Sequence, residues 1–431
     1  MPRRRVTRLS WKKIGSATAM LTSIAVALVV LVSCGDGGAP EATPPTATSP
    51  AAWTPHLVLT PQSIAAIKEH IDAGDEPWAS AWREFLRSRA DAELGASPQV
   101  ERGPFTGGVE VHQAFLQLDA DSRAARNLAI AYVVSGDIAY ARSARDILVA
   151  WSREARPTTL DDYDSLDTGQ LQSWGAFSFA YAYDLTRGSG LYSAGEAAEV
   201  SGYFERFAAA LRGAADRLAD DPSIGTPLRR PYEWSSELSY RYEDRMIGGT
   251  FAMALDLALL GLASQTGDAV TMAWVLDADR NALRADRAVR HALQPDNDGD
   301  GLGTRPVPEV AILRTYRPDR GGTVDYMTYS ARLATLLCQV SDNLGRPMSE
   351  SSRPALSATW AYLARFFDPG AVASPNPTDV INTAVCLPRF TLGFRILGTD
   401  RLHAVLDAGD RSTYYEPQFL GPVTLTHWPL K

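Results

Sequence analysis

Two tyrosines and a group of arginines late in the chain have the types and spacing needed for proton transfer. In the stretch DRGGTVDYMTYSARLATLL, Tyr326 and Tyr329 lie three residues apart, where a Gly-Gly turn leads into an apolar helical pattern. Three arginines precede the pair: Arg314, Arg317 and Arg320. Nearby cations favour the phenolate form of tyrosine, whose ordinary pKa is ~10, and arginine binds both oxygens of a carboxylate. The segment therefore predicts either proton transfer beside an anionic group or an ordinary helix start with packed tyrosines.

Carboxylates form a second candidate set, in loops or helix starts that are expected to line the same cleft. They are Glu243, Asp244, Asp300, Glu309 and Asp325. Two carboxylates in different environments are what glycoside hydrolysis uses. The structural alternative is capping, because Asp and Glu are favoured at helix N-termini. The sequence leaves both interpretations open.

The stretch DNDGDG at 296–301 resembles the start of a calcium-binding loop. The ligands at its first, third and fifth positions would be Asp296, Asp298 and Asp300, with glycine at the sixth. The twelfth position is Val307, where an EF-hand needs a bidentate glutamate. An acidic turn is therefore the favoured interpretation, with a structural calcium as the alternative. No organic cofactor is implied.

Aromatic, amide and basic side chains supply the candidate substrate-binding surfaces. Gln172 and Trp174 lie near the start of an aromatic helical stretch, at its loop end. Trp234 lies in RRPYEWSSELSYRYEDR, a polar and aromatic segment typical of a cleft wall or lid. Tyr329 and Arg314 complete this set. Core packing is the structural alternative for the aromatic helix.

Helical periodicity recurs along almost the whole chain, and strand signals are scarce. The predicted helices are 61–94 (one or two helices), 114–134, 138–151, 169–186, 193–218, 245–264, 271–293, 323–344 and 352–367, followed by an irregular tail after Asp410. Antiparallel hairpins of this kind build either an α-solenoid or an α/α toroid. Gly136-Asp137 and Gly267-Asp268 look alike, but the short fixed period of a tetratricopeptide array is missing. The pattern therefore favours an all-α, incomplete (α/α) toroid.

Four stretches, in this order, resemble the alginate lyase family of polysaccharide lyases. They are RNLAIAYVVSGDIAYARSARDILVAWS at 126–152, QLQSWGAFSFAYAYDL at 170–185, RMIGGTFAMALDLALLGLASQTGD at 245–268, and Pro308-Glu309 followed by Arg314 or Arg320 and then Tyr326. The first is similar to a family hairpin, the second to an aromatic helix ending in A-Y-D-L, and the third to the central buried helix. The resemblance implies an (α/α) toroid that cleaves a uronate polymer by β-elimination.

The resemblance also implies roles for individual residues. β-Elimination removes the C5 proton, tolerates charge on the adjacent carboxylate and protonates the O4 leaving group. Tyr326 takes the acid/base role, with Tyr329 one turn away as its rival. Arg320 or Arg314 takes the role of binding the carboxylate.

The segment before the central helix departs from the family pattern. Relatives usually carry an Asn-Asn or Asn-His pair there, whereas this chain has Glu243-Asp244-Arg245. Arg245 is expected to assist where the family presents amides. The acids at Glu243 and Asp244 keep glycoside hydrolysis open as the second interpretation.

The first residues have the pattern of an export signal. MPRRRVTRLSWKK carries six basic and no acidic residues, and an apolar run follows up to Leu-Val-Ser-Cys34. That ending resembles a bacterial lipobox, which implies lipidation of Cys34. The Pro-, Thr- and Ala-rich stretch that follows is typical of a tether. The predicted division is a signal at 1–34, a tether at 35–55 and one toroid domain at 56–431, in a membrane-anchored lipoprotein facing the periplasm or cell exterior.

The charge of the chain argues against general nucleic-acid binding. The formal net charge is −8, and removal of the basic signal leaves 36 basic against 50 acidic residues, or −14. The expected partners are a polysaccharide and, through the lipid, a membrane. Cys338 and Cys386 either form a disulfide, which export permits, or pack as free thiols.

Three functions remain open from the sequence. The first is a polysaccharide lyase with Tyr326 as acid/base and Arg320 as charge neutraliser. The second is a glycoside hydrolase on the same scaffold, using Glu243 or Asp244 with Asp325. The third is a surface glycan-binding lipoprotein without catalysis.

Overall fold

A computed structural model describes residues 53–100, 108–156, 166–220, 250–277, 281, 284–292, 323–367 and 381–428. The signal, most of the tether and Cys34 lie outside these residues. So do several candidate site residues: Trp234, Glu243, Asp244, Arg245, Asp296, Asp298, Asp300, Glu309, Arg314, Arg317 and Arg320. Their roles stay predictions.

The described residues are almost entirely helical. The helices are α1 (Pro61–Ala73), α2 (Trp78–Phe85), α3 (Gly108–Ser135), α4 (Ile138–Glu154), α5 (Leu166–Thr186), α6 (Ala194–Asp220), α7 (Thr250–Thr266), α8 (Ala269–Leu276), α9 (Ala285–Ala292), α10 (Thr323–Asn343), α11 (Ser349–Ala364), α12 (Thr383–Leu397), α13 (Asp400–Leu406) and α14 (Val423–His427). Helix α2 continues through a π-helical turn at Leu86–Ala90 and a last turn at Asp91–Glu93. Within the described ranges, β pairing is limited to one isolated bridge between Glu416 and Gly421.

The helices form two layers, as the toroid prediction requires. Helices α3, α5, α7, α10 and α12 pack successively on one another and make the inner layer. Each is followed by an outer partner that packs on it: α4, α6, α8, α11 and α13 respectively. The inner helices are the most apolar part of the chain, and side chains such as Phe177, Leu257 and Leu336 are completely buried. Burial of these faces between two layers is what holds the hairpins together.

Each inner helix is joined to its outer partner by a short turn. Gly136 and Gly267 end α3 and α7 with φ of 78° and 73°, a left-handed conformation that costs glycine little. The next residues, Asp137 and Asp268, accept N–H bonds from the first turns of α4 and α8. The predicted turns are confirmed, and they make the inner helices run in one direction.

The C-terminal ends of the inner helices are joined by the incoming segment 53–60. Asp184, at the end of α5, is fully buried and accepts N–H bonds from His56 (3.0 Å) and Leu57 (2.9 Å). Gln265 of α7 donates to the same carboxylate at 3.3 Å. Asn343 of α10 donates to the Leu57 carbonyl oxygen at 3.2 Å. This end is called the anchored end below.

The opposite end, where the inner helices start, is called the open end. The segments 157–165, 221–249, 293–322 and 368–380 lead into α5, α7, α10 and α12 at this end. They lie outside the described residues and include all the sequence candidates of the second half of the chain except Tyr326, Tyr329 and Asp325. The fold therefore assigns the predicted chemistry to one end of the helix ring.

Two predicted helix boundaries were wrong. The stretch 271–293 is not one helix, because α8 ends at Leu276 and α9 begins only at Ala285. Helices α12 and α13 were missed, since α12 contains Pro388, which removes a backbone donor from a helix interior. Packing overrides that cost: Gly393 lies so close to the Trp360 indole that an added Cβ would come within 2.6 Å.

The two late cysteines do not pair. Cys338 and Cys386 are both free thiols and both fully buried. Of the two possibilities left by the sequence, the structure has the packed thiols. No helix in the described part of the chain combines the length and apolar character needed to cross a bilayer.

Candidate active site

The open end holds a tyrosine whose hydroxyl is fixed by a tryptophan. Tyr329, one and a half turns into α10, accepts a hydrogen bond of 3.0 Å from the indole N–H of Trp174 on α5. The two rings meet edge to face, with centroids 6.4 Å apart. Tyr329 is 6% exposed, and Trp174 is partly exposed. The contact ties the first turns of two neighbouring inner helices.

Two arginines lie over the ring of Tyr329. The guanidinium carbon of Arg332 is 4.3 Å from the ring centroid, and that of Arg389 is 5.3 Å away. Arg332 is fully buried, and Arg389 is 8% exposed. Burial, together with the charge of Arg332, lowers the pKa of Arg389, but an arginine stays cationic at neutral pH. The phenol is therefore surrounded by positive charge.

Arg389 is held by the first turn of α10. Its guanidinium donates to the Asp325 carbonyl oxygen and to the Thr328 hydroxyl, the latter at 3.1 Å. The Asp325 carboxylate accepts the thiol of Cys386 at 2.7 Å and the backbone N–H of Asn382 at 3.3 Å. These contacts fix the start of α12 against the start of α10.

Arg332 is paired with a glutamate from the C-terminal tail. Glu416 is 2% exposed and forms an ion pair with Arg332. Its carboxylate also accepts backbone N–H bonds from Phe419 (2.9 Å), Gln418 (3.2 Å) and Leu420 (3.3 Å). Burial by itself raises the pKa of Glu416, but the Arg332 charge and the Phe419 N–H outweigh it and hold that pKa below its usual value.

The same tail is anchored on α3 by a second polar network. Arg126, fully buried, donates to the Tyr415 hydroxyl at 3.0 Å and to the Pro417 carbonyl oxygen at 3.1 Å. Asn127 donates to the Tyr415 hydroxyl at 2.9 Å and to Glu93 at 3.0 Å. The tail turn at 415–421 therefore bridges α3 and α10 across the ring.

Solved structures with this fold are known, although comparisons of sequence alone find nothing. No family model and no curated protein matches the chain. An alginate lyase from Bacteroides ovatus superimposes with a TM-score of 0.59 at 14% identity, over 87% of this chain and 99% of that one. Alginate lyase A1-III from Sphingomonas species A1 gives 0.52 at 13% identity, over 86% and 97%.

The chain has the alginate lyase fold. A further match is a histidine-to-alanine variant of A1-III complexed with a tetrasaccharide, with a TM-score of 0.52 at 14% identity. It covers 86% of this chain and 96% of that one. The likeness confirms the predicted incomplete (α/α) toroid and extends over nearly the whole length of these lyases.

Within this alginate lyase fold, the described candidates from the sequence meet at the open end. Tyr326 lies in the first turn of α10, with its side chain outside what the structure describes. Tyr329 and Trp174 touch each other, and Gln172 is 4% exposed two residues before Trp174. Asp325, the proposed hydrolase partner, is committed to Cys386 and Asn382.

Sequence reasoning missed four charged residues of the site. Arg332 could have been found, because it lies one helical turn after Tyr329 and so on the same face. Arg389, Glu416 and Arg126 had no local signal, since each reaches the site from a distant part of the chain. Among the described residues there is no group of three His, Cys, Asp or Glu side chains that could hold a metal ion. The possible calcium ligands Asp296, Asp298 and Asp300 lie outside them.

Proposed function

We propose that the protein is an exported polysaccharide lyase that cleaves a uronate-containing polysaccharide, such as alginate, by β-elimination. One observation carries the proposal: Tyr329 lies among Arg332, Arg389 and Trp174 at the open end of an alginate lyase fold. The likeness to known lyases supports the fold, and this cluster supports the chemistry.

The cluster suits β-elimination because that reaction needs a base that can later act as an acid. A phenolate removes the C5 proton, the electrons form the C4–C5 double bond, and the C4–O4 bond breaks. The resulting phenol returns the proton to O4, so that charge and atoms balance. Guanidinium groups near the phenol stabilise the negative charge that it must carry before the proton moves.

Two tyrosines of α10 are candidates for this role. Tyr326 is the candidate from sequence, and it lies closer to the start of the helix. Tyr329 is the candidate whose surroundings the structure describes, and those surroundings are cationic. We take Tyr329 as the proton-transferring phenol and Tyr326 as its rival. Arg320 or Arg314 remains the proposed partner of the substrate carboxylate, with Arg245 assisting.

The direction of the inner helices favours an anionic substrate. All five start at the open end, so the positive ends of their dipoles are gathered there. Each terminus contributes about half an elementary charge over a short range. A chain with an acidic surface can thus still present a positive cleft, which is what a polyuronate needs.

The test is an ultraviolet assay on purified protein with a panel of polymers of mannuronate, guluronate and glucuronate. A lyase creates a C4–C5 double bond and therefore new ultraviolet absorbance. New reducing ends without absorbance would replace the proposal by glycoside hydrolysis. Binding without either product would leave a glycan-binding protein. Tyr326→Phe and Tyr329→Phe, assayed side by side, identify the phenol.

We further propose that the mature protein is held at a membrane by lipid on Cys34. The lipobox-like ending of the export signal and the tether after it support this location. The measurement is detergent phase partitioning of the protein expressed in a bacterium, compared with Cys34→Ala. Equal partitioning of both proteins into the aqueous phase would contradict the anchor.

A further inference from the structure

A fully buried arginine at the open end depends on a carboxylate from the far end of the sequence. Arg332 is 0% exposed, and a buried guanidinium without a counter-charge is strongly destabilising. Glu416 supplies the counter-charge from the tail, in the ion pair described above. A glutamate on α3, α5 or α12 could have done so, and the use of the tail therefore calls for an explanation.

The ion pair fixes the orientation of Arg332 as well as its charge. The Arg332 guanidinium lies between two rings, 4.3 Å from the Tyr329 centroid and 5.2 Å from that of Phe419. Phe419 belongs to the same tail turn as Glu416 and packs on Phe177 of α5, with centroids 5.5 Å apart. The turn thus supplies both the carboxylate and one of the two rings that hold the guanidinium plane.

The tail turn is itself rigid, because its backbone is tied at several points. Glu416 and Gly421 exchange two backbone hydrogen bonds, of 2.7 and 2.8 Å. Gly421 has a φ of 78°, and a Cβ there would meet Asn127 at 3.2 Å. The Glu416 carboxylate is therefore presented from a fixed frame.

We infer that Glu416 is a positioning residue for the proposed lyase reaction: through Arg332 it sets the place and the charge balance of the Tyr329 phenol. The inference rests on the proposed function with Tyr329 as the phenol. Glu416 touches no substrate; it acts by holding Arg332 against the ring.

Other charged groups face the same phenol and enter any pH effect. In the described residues these are Arg332 and Asp325 on α10, Arg389 and Cys386 on α12, and Glu416 on the tail, while α5 contributes the neutral Trp174. Removal of the Glu416 charge leaves the positive charge of Arg332 uncompensated. A more positive environment favours the phenolate, so the base becomes active at lower pH.

The experiment compares Glu416→Gln and Glu416→Asp with the wild type in full pH profiles on the polymer that wild type cleaves. In Glu416→Gln we expect kcat to fall on the order of 10- to 100-fold, because the phenol is displaced. The acid limb of kcat/KM should also move to lower pH, by about half a unit or more. Glu416→Asp keeps the charge but is shorter, so kcat should fall while the acid limb stays in place.

Tyr415→Phe is the matched control for a loosened tail. It removes the hydroxyl held by Arg126 and Asn127 but leaves Glu416 and Arg332 unchanged. We expect a lower Tm with the acid limb in the wild-type position. An equal limb shift in Tyr415→Phe would show that tail docking, rather than the Glu416 charge, sets the phenol.

The outcomes separate the inference from the proposed function. Wild-type product with ultraviolet absorbance, together with an unchanged kcat and acid limb in Glu416→Gln, overturns the inference alone. Full activity in Tyr329→Phe also overturns it. If Glu416→Gln does not fold, an unchanged kcat in Glu416→Asp overturns it. Absence of absorbance with wild type on every polymer removes the proposed function and the inference with it.

Discussion

The two ends of the helix ring bury charge in opposite ways. At the anchored end the buried charge is a carboxylate, Asp184, surrounded by backbone N–H groups and an amide from neighbouring segments. At the open end the buried charges are mainly guanidiniums, Arg332, Arg389 and Arg126. The first arrangement satisfies an incoming strand of chain and faces no cleft. The second surrounds a phenol with positive charge, as an elimination catalyst requires.

The carboxylates at the two ends also have opposite pKa shifts. Burial raises the pKa of Asp184, against the opposing effects of His56 and the N–H groups. Glu416 is as deeply buried, but Arg332 and the tail N–H groups leave its pKa lowered. The comparison shows that burial depth does not decide the ionisation of a carboxyl group here; a neighbouring guanidinium does.

The largest effect should follow removal of the Tyr329 hydroxyl. We expect Tyr329→Phe to lower kcat by about 10²- to 10⁴-fold, the usual contribution of acid–base catalysis. Tyr140→Phe is the matched control, because it removes a buried tyrosine hydroxyl that binds Asp91 at 2.5 Å, far from the open end in the fold's outer layer. Ultraviolet assays of both variants check the prediction. Equal losses would show that the effect is one of stability.

Removal of the Asp184 carboxylate should damage stability and spare chemistry. Asp184→Ala leaves the N–H groups of His56 and Leu57 without an acceptor, at a cost of about 2–4 kcal/mol in the free energy of unfolding. Urea unfolding measures the loss. The kcat of the folded protein should match wild type, and Asp184→Asn, which keeps an acceptor, should be less affected. A large fall in kcat would mean that the two ends are coupled.

Loss of the indole donor should have a smaller effect at the open end. Trp174→Phe keeps an aromatic ring but removes the N–H that binds the Tyr329 hydroxyl. We expect kcat to fall by about tenfold, equivalent to ~1.4 kcal/mol, because one hydrogen bond that orients the phenol is gone. Steady-state kinetics on the cleaved polymer check this. Unchanged kinetics would show that the arginines alone hold Tyr329.

The smallest effect should appear in the pH dependence of stability. The lowered pKa of Glu416 contributes stability above its unfolded pKa, and this is lost as pH falls through the folded pKa. The raised pKa of Asp184 acts with the opposite sign, so stability falls as pH rises from its unfolded value of about 3.8 through the folded pKa.

Unfolding free energies between pH 3 and 7 should show this difference, on the order of 1 kcal/mol per pKa unit shifted. Glu416→Gln should flatten the rise of stability with pH, whereas Asp184→Asn should make that rise steeper. Identical curves for the two variants would contradict the assignment of opposite shifts.

The sequence was most informative where a signal is local. Helical periodicity predicted the hairpins of the inner and outer layers, since buried faces repeat along each helix. Tyr329 and Trp174 were both singled out from their own segments, and the structure brings them to 3.0 Å. Arg332 was within reach of the same reasoning, one turn further along α10.

Long-range contacts were beyond such reasoning. Nothing near Glu416 or Arg389 in sequence indicates that they meet beside Tyr329, because the tail and α12 approach α10 only in the folded chain. Helix α12 was missed for a related reason: Pro388 argues against a helix locally, and only packing against Trp360 and α10 compensates. The residues that complete the cluster are therefore those that only tertiary structure reveals.

The position of Glu416 near the end of the chain has a consequence for biosynthesis. Every inner helix up to α12 leaves the ribosome before the residue that neutralises Arg332 does. A nascent chain that stopped after α13 would already hold the whole ring of hairpins and yet carry an unmatched cation in its interior. Completion of the last turn thus acts as a check on synthesis: only full-length molecules acquire a settled site, and truncated ones are left as substrates for proteolysis.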